Sequence, residues 1–450
     1  MAVTVETFRE YKPSYFEVIL HYYRSFITFI VFGYRKMRGT PIFAPKSFLH
    51  SFFDFTLFDK QTMAFYAKYP MTINSIIDPE ITNELFKNHR SDPNSIFKGN
   101  NVMNRFLEII QIMYPESNIQ ANDCILTCDE FHTKIYHKFI YKYLSQKTIE
   151  EIKEVINQNI ISKFSNLDGC TIDLYDIINN FVCDNFTTMF FGNTYTQEET
   201  SFSNCCSKIS EYIHHNRMNT IMSKKLFNDE LYDDNLHNMK ATIEVFKNII
   251  NKIIDENKQL FDEENFTISQ RQAFVPIILF AGQETTNVLA TYVIYTLGKI
   301  KDLIKEGRPT FKNDEQKLNK VIDNIFNHSL ASCTPAHGIA RILRYNTKIT
   351  STDGTSKIYK ENTVIGPMPC HIAKRNFKSS VIDYNVFIPF GKGKHRCPGE
   401  HLVLMEIKEL IKYLICNYDI ETNANKINFV QHMTQKITTK FLTTFHKVTE

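Results

Sequence analysis

With 450 residues and 43% hydrophobic content the chain can bury a large core, and its 52 basic and 49 acidic side chains leave a net charge of only +3. No broad field of one sign is implied, so no nucleic-acid partner is expected. Its ten cysteines, including Cys124 with Cys128 and the pair Cys205–Cys206, lack zinc-site spacing and read as mostly reduced, buried side chains in a chain without a cleavable signal pattern.

Near the N-terminus, "SYFEVILHYYRSFITFIVFGYRKMRG" (Ser14 to Gly39) is apolar, but its uncharged run from Ser25 to Tyr34 is about half of the roughly 20 residues a spanning helix needs. Glu17, His21, Arg24 and Thr28 fall on one helical face opposite Phe16, Ile19, Leu20, Tyr23, Ile27 and Ile30. Residues 1–40 therefore read as an amphipathic segment, either packed on the core or lying at a membrane surface. Arg35, Lys36 and Arg38 would keep the following chain on the cytoplasmic side, so the expected location is the cytoplasmic face of a membrane, otherwise the cytoplasm.

Residues 41–450 show no repeat and no long Pro/Gly/Ser linker, and read as one domain. The periodicity predicts helices over Thr148–Phe164, Leu174–Phe191, Asp229–Asn257 and Ala273–Leu303, the second opening behind Asp173 as N-cap and closing at Gly192. Pro276 should kink or restart the last of these just before Ala281. Strands look sparse and late: a hairpin over Thr347–Gly366 turning at Asp353-Gly354, with a weaker early strand at Met71–Ile76.

"FIPFGKGKHRCPGEHLVLMEIKE" (Phe387 to Glu409) places Cys397 between a glycine-rich basic turn and a helix beginning near Pro398. Unpaired N–H groups and the helix dipole there would stabilise a thiolate. Gly391, Gly393 and Gly399 would let a flat ligand approach the backbone, and His395 and Arg396 are cations suited to its carboxylates.

This stretch resembles the haem-binding signature of the cytochrome P450 family: Phe390, Gly393, His395, Cys397 and Gly399 occupy its defined positions, and Leu402 and Glu406 continue the usual helix. The resemblance implies a mainly α, P450-like single haem domain with long helices and small β-sheets. It also implies haem b (iron protoporphyrin IX) with Cys397 as axial iron ligand, Phe390 near the sulfur and His395 on a propionate. Upstream, "FAGQETTNVLA" (Phe280 to Ala290) is similar to the family's distal helix. There Ala281 and Gly282 would make room over the haem, and Glu284 with Thr285 would form the acid–alcohol pair that relays protons for oxygen activation.

Weaker likenesses extend the match. "SIIDPEITNELFKN" (Ser75 to Asn88) is similar to a strand followed by the B helix, and Thr171 to Gly192 to the E helix. Pro335 and Arg341 resemble the proline and haem-propionate arginine after the K helix, and His132 stands where the C helix carries a propionate contact. The chain departs elsewhere. The K-helix Glu-x-x-Arg pair falls on His328 and Ala331, only residues 377–389 separate Asn376 from Phe390 in place of a longer meander, and Tyr136 stands where an arginine is expected. An ion-pair network lost as a unit costs less than one stranded charge.

The resemblance implies a monooxygenase that inserts one oxygen atom from O2 into a lipophilic small molecule, with electrons from a separate donor of NADPH–P450 reductase or ferredoxin type. Lys374, Arg375, Lys392, Lys394 and Arg396 are a docking cluster for an acidic donor, or simply a solvated loop. Two alternatives stand beside it: a reductase-independent haem-thiolate isomerase, dehydratase or peroxygenase, and a non-catalytic haem or lipid binder. Residues 91–125 and 194–235, the segments that would set substrate choice, carry no decipherable pattern.

Overall fold

A computed structural model of the chain describes residues 4–8, 65–68, 71–76, 81–86 apart from 83, 96–97, 100–192, 204–212 apart from 211, 230–336, 341–350, 356–359, 364–367, 387–393, 396–431 and 434–448, together with 354, 361 and 369.

 The last three are isolated positions. The segment from Ser14 to Gly39 lies outside the described residues, but Thr4–Phe8 forms strand β1, which pairs with a strand of the domain that follows and so crosses the expected boundary at residue 40.

The molecule is mainly helical, as the sequence implies. Helices α1 (Asn100–Met113), α2 (Glu130–Leu144), α3 (Gln146–Glu151), α4 (Lys153–Phe164) and α5 (Tyr175–Phe191) lead to α6 (Glu230–Glu256) and α7 (Lys258–Glu263). They are followed by α8 (Ile268–Lys299), α9 (Lys301–Asn313), α10 (Glu315–Ser332) and α11 (Glu400–Asn417). The stretch expected as one helix over Thr148–Phe164 is broken at Ile152. Helix α5 closes where glycine allows it, with Gly192 left-handed at φ 70°. Its N-cap is Leu174 rather than Asp173, although the Asp173 carboxylate still accepts the Tyr175 N–H at 3.1 Å.

Helix α8 organises the core. It starts five residues earlier than its periodicity suggests, because Thr267 and Gln270 form a reciprocal capping box. It then runs through Pro276 without ending, so the restart expected there does not occur; packing on both sides holds the chain helical where proline removes one backbone bond. The helix ends at Lys299, and Ile300 separates it from α9. Among the described residues it is the one helix long and apolar enough to cross a membrane, yet 83% of its apolar window is buried inside the protein. Next to it, Phe139 and Tyr136 of α2, Phe261 of α7 and Phe266 meet Phe274 or one another in edge and stacked contacts. Such aromatic pairs contribute about 0.5–1.5 kcal/mol each beyond area burial.

Strands are neither sparse nor only late. β2 (Phe65–Lys68), β3 (Met71–Ile76) and β4 (Ile96–Phe97) join β6 (Arg341–Leu343) and β9 (Val364–Pro367) in a five-stranded sheet ordered β2-β3-β9-β6-β4, with β3 and β9 parallel. The expected hairpin is β7 (Asn346–Thr350) with β8 (Ser356–Tyr359), extended by β1 on its other edge. Val364–Pro367 leaves that hairpin for the larger sheet. Strand β5 (Thr171–Asp173) joins β10 (Tyr418–Thr422) and β13 (Leu442–Lys447), and β11 (Phe429–Gln431) pairs with β12 (Gln435–Ile437).

Candidate active site

The Cys397 loop is built by backbone bonds and two left-handed glycines. Gly391 and Gly393 both sit at φ 75°, which a side chain would strain. The Gly391 N–H reaches Ile388 O at 3.0 Å, Arg396 N–H reaches Gly393 O at 3.2 Å, and Cys397 N–H donates to Phe390 O at 2.7 Å. Phe390, half-buried against the core, thus fixes the cysteine through its carbonyl. Helix α11 begins at Glu400 with Gly399 as N-cap, so Pro398 precedes the helix rather than opening it. Gly399 is not forced by the sulfur, since a Cβ there would stand 3.7 Å from Cys397 Sγ, an ordinary contact.

Cys397 is exposed to open space, yet enough protein surrounds its sulfur that burial pushes the thiol pKa up. The N–H groups of Gly399 and Glu400 and the charge of Arg396 pull it back, but burial dominates, so the helix start alone does not yield a thiolate. A metal ion on the sulfur is what would deprotonate it. Arg396, expected to offer its charge to a ligand carboxylate, is instead bidentate on Glu400, Nε to Oε2 at 2.5 Å and Nη2 to Oε1 at 2.6 Å. Beside them α2 brings Tyr141, whose hydroxyl pKa is raised by burial and then by Cys397. Sequence reasoning missed Tyr141; its signal was the i, i+4 spacing from His137, whose ring it meets at 5.7 Å. His395 lies outside the described residues, as do Lys374, Arg375 and Lys394.

His132 is engaged at the first turn of α2. Its Nδ1 lies 2.8 Å from Asp129 Oδ1, and its N–H donates to the same oxygen, which holds the Asp129 pKa down. Tyr136 is buried, stacks on Phe274 and donates to Asp123 O at 2.6 Å, so the position offers no cation. Arg341 opens β6 and is 9% exposed; burial alone brings its pKa down to about 10. In the absent Glu-x-x-Arg pair's place, α10 carries an exposed His328 and a half-buried Ala331. Helices α10 and α11 are tied instead by Lys408–Asp323 at 2.6 Å and Lys412–Glu315 at 3.4 Å.

On α8, a helix buried along most of its length, Ala281 is exposed and Thr285 half-exposed. The Thr285 hydroxyl donates to Ala281 O at 2.8 Å. Gly282 has a different reason from the one expected: a Cβ there would fall 2.5 Å from Phe186 Cδ2 and Cε2, so its missing side chain admits α5. Glu284 is 6% exposed and turned away from Thr285, accepting from Thr434 Oγ1 at 3.2 Å. Burial raises its pKa, opposed by Lys436 and by the Thr434 hydroxyl.

This donor set suits a thiolate-ligated iron porphyrin. Cys397 offers an open soft ligand, the opening at Ala281 and Thr285 interrupts a buried helix, and Arg341 is a desolvated guanidinium of the kind that favours a carboxylate.

Comparison with known proteins defines the class. The family model described as Cytochrome P450 matches residues 373–447, the segment that contains the Cys397 loop and α11. Cytochrome P450 3A28 of Bos taurus is 25% identical over 238 residues, 47% of this chain and 46% of that protein. Cytochrome P450 714C2 of Oryza sativa subsp. japonica is 24% identical over 174 residues, 34% of this chain and 33% of that one. The chain thus spans less than half the length of these curated relatives. The crystal structure of the cytochrome P450DA heme domain superposes with a TM-score of 0.64 at 15% identity, covering 84% of this chain and 88% of that one, which shows the fold. Residues 373–447 thus match the cytochrome P450 family model, and the chain has the fold of a P450 haem domain.

Proposed function

We propose that this protein is a haem-thiolate monooxygenase that inserts one oxygen atom from O2 into a lipophilic small molecule. The observation that carries the reading is Cys397, fixed through its N–H by Phe390 at the head of α11 with its sulfur open. Cys397 would ligate the iron of haem b, and Arg341 would meet a propionate. When bound, haem supplies redox-active iron, and its thiolate ligand donates electron density that favours O–O cleavage. Thr285 then offers a hydroxyl at the open face of α8, and Glu284 a carboxyl that can resupply its proton after turning from Thr434.

Electrons come from a separate NADPH–P450 reductase or ferredoxin-type donor. Because Arg396 is neutralised by Glu400, the cationic face for an acidic donor rests on the exposed Lys134 and Lys138 of α2. The Ser14–Gly39 segment is assigned to a membrane surface on the cytoplasmic side. The test is turnover with isotopically labelled O2 and an electron donor: one labelled atom in the product is expected, and product without label overturns the reading.

A second reading, a reductase-independent haem-thiolate enzyme, is favoured by one observation: Glu284 and Thr285 bond to different partners rather than to each other. Turnover of a hydroperoxide with no electron donor would select it.

A further inference from the structure

Behind α8 lies a cavity of about 560 Å³, within the roughly 300–1,000 Å³ of small-molecule sites. Among the described residues, Ala281, Thr285, Arg341 and Cys397 do not border it, and it shares only Glu284 with the site above. Its walls come from α8, from the helical residues 204–210, and from residues 173–176 and 436–441. The pairing of Leu442 with Asp173 sets the last two segments side by side. Thr438 fastens the loop after β12, its N–H and hydroxyl both donating to Asn428 O, at 3.0 and 3.2 Å. The cavity is thus framed by backbone bonds.

At its deep end Ser207, Glu284, Asn287 and Thr291 are all more than nine-tenths buried, and their hydrogen bonds leave capacity of both kinds. Ser207 Oγ accepts from Lys436 and keeps its own O–H to give. Thr291 Oγ1 donates to Asn287 Oδ1 at 3.2 Å and keeps its lone pairs, while Glu284 accepts from Thr434 on Oε2 and keeps its other oxygen. A ligand hydroxyl, which both donates and accepts, satisfies such a set; an ammonium only donates, and a carboxylate only accepts. The outer end carries two charges of each sign, Asp173 and Asp176 against Lys436 and Lys440, so no net field selects an ion. Leu174, Val288 and Phe441, each more than nine-tenths buried, add an apolar wall. We propose that this cavity binds a neutral polyhydroxylated molecule with an apolar face, the chemistry of a sugar ring. Its C–H face lies on Leu174, Val288 and Phe441, and its hydroxyls exchange hydrogen bonds with Ser207, Glu284 and Thr291. The inference goes beyond the monooxygenase reading and does not depend on it.

The experiment is a calorimetric titration of the full chain, haem-free and haem-loaded, with methyl β-glucopyranoside and, as ions of similar size, cyclohexylammonium and cyclohexanecarboxylate. One saturable glucoside site is expected in both forms, with each ion bound at least about tenfold more weakly. The Soret band of the loaded chain should not move when the glucoside binds. Thr291→Val, which removes one hydrogen bond, should weaken binding by about three- to tenfold. Val288→Phe, which fills the cavity from its apolar wall, should abolish it. If Val288→Phe does not fold, Asn204→Trp blocks the cavity from its exposed rim in its place. Absence of saturable glucoside binding, equal or tighter binding of either ion, or an affinity unchanged by these variants overturns the proposal. A shifted Soret band would put the glucoside at the haem and overturn it as well. The titration uses neither oxygen nor an electron donor, so a failed labelled-oxygen experiment leaves this result standing, and a null titration leaves the monooxygenase reading standing.

Discussion

Arg396 and Glu400 clasp each other across the first turn of α11, with Nε and Nη2 on the two carboxylate oxygens at 2.5 and 2.6 Å, and Cys397 lies inside that clasp. The Glu400 side chain is 10% exposed and the Arg396 side chain 57%. The loop is therefore pinned to its own helix where a K-helix ion pair is missing.

Arg396→Ala strands the Glu400 carboxylate. We expect a loss of about 1 kcal/mol of stability, reduced from a buried pair's value because the arginine is largely exposed, and faster loss of haem from the loaded protein. Thermal unfolding and the rate of haem transfer to an acceptor protein check this; no change in either would show that the clasp holds nothing.

Gly282→Ala drives a methyl group to 2.5 Å from the Phe186 ring. A cost of about 1–3 kcal/mol is expected, and Phe186→Leu in the same chain should recover part of it. Urea unfolding of the two single variants and the double variant measures the coupling. Independent, additive costs would mean that the two residues do not meet.

Glu406 on α11 is 1% exposed, and burial pushes its pKa up to about 8, opposed by Asn185. A carboxyl raised in the folded state binds its proton more tightly than the unfolded chain does. Its contribution is full below the unfolded value near 4.5 and is lost as pH rises toward 8. Glu406→Gln should remove this loss, amounting to about 5 kcal/mol at most. Unfolding free energies measured from pH 5 to 9 with the same slope in both proteins would refute the assignment.

Tyr136→Arg should not supply the cation found at this position in the family. The side chain would enter the Phe274 and Phe266 cluster, and the protein should lose several kcal/mol or fail to fold. A stable variant with tighter haem binding would show that the position faces the cofactor.

Thr285→Ala removes a hydroxyl bonded only within its own helix turn, so little stability should be lost. In the loaded enzyme it should lower product formed per electron consumed. Unchanged coupling at full turnover would take Thr285 out of the mechanism.

The legible parts of this chain were those written locally. Met71–Ile76 was visible as a strand, α5 closed at its glycine, and the Phe390–Gly399 stretch carried its own turn and helix start. The start of α8 was legible too, in the Thr267-x-x-Gln270 capping box, but the apolar run downstream drew the boundary inward. Partners distant in sequence were not legible. β1 is specified by β7 more than three hundred residues away, Gly282 by Phe186, and the direction of Glu284 by Thr434. Adjacent helix positions point about 100° apart, so Glu284 and Thr285 serve different spaces although they read as a pair.

The central claim is that Cys397 is a thiolate ligand to haem iron. The absorption spectrum of the haem-reconstituted protein, reduced and exposed to carbon monoxide, tests it most directly. The account predicts a red-shifted Soret band that Cys397→Ala abolishes. A band at the position of histidine-ligated haem, or one that survives Cys397→Ala, would contradict it.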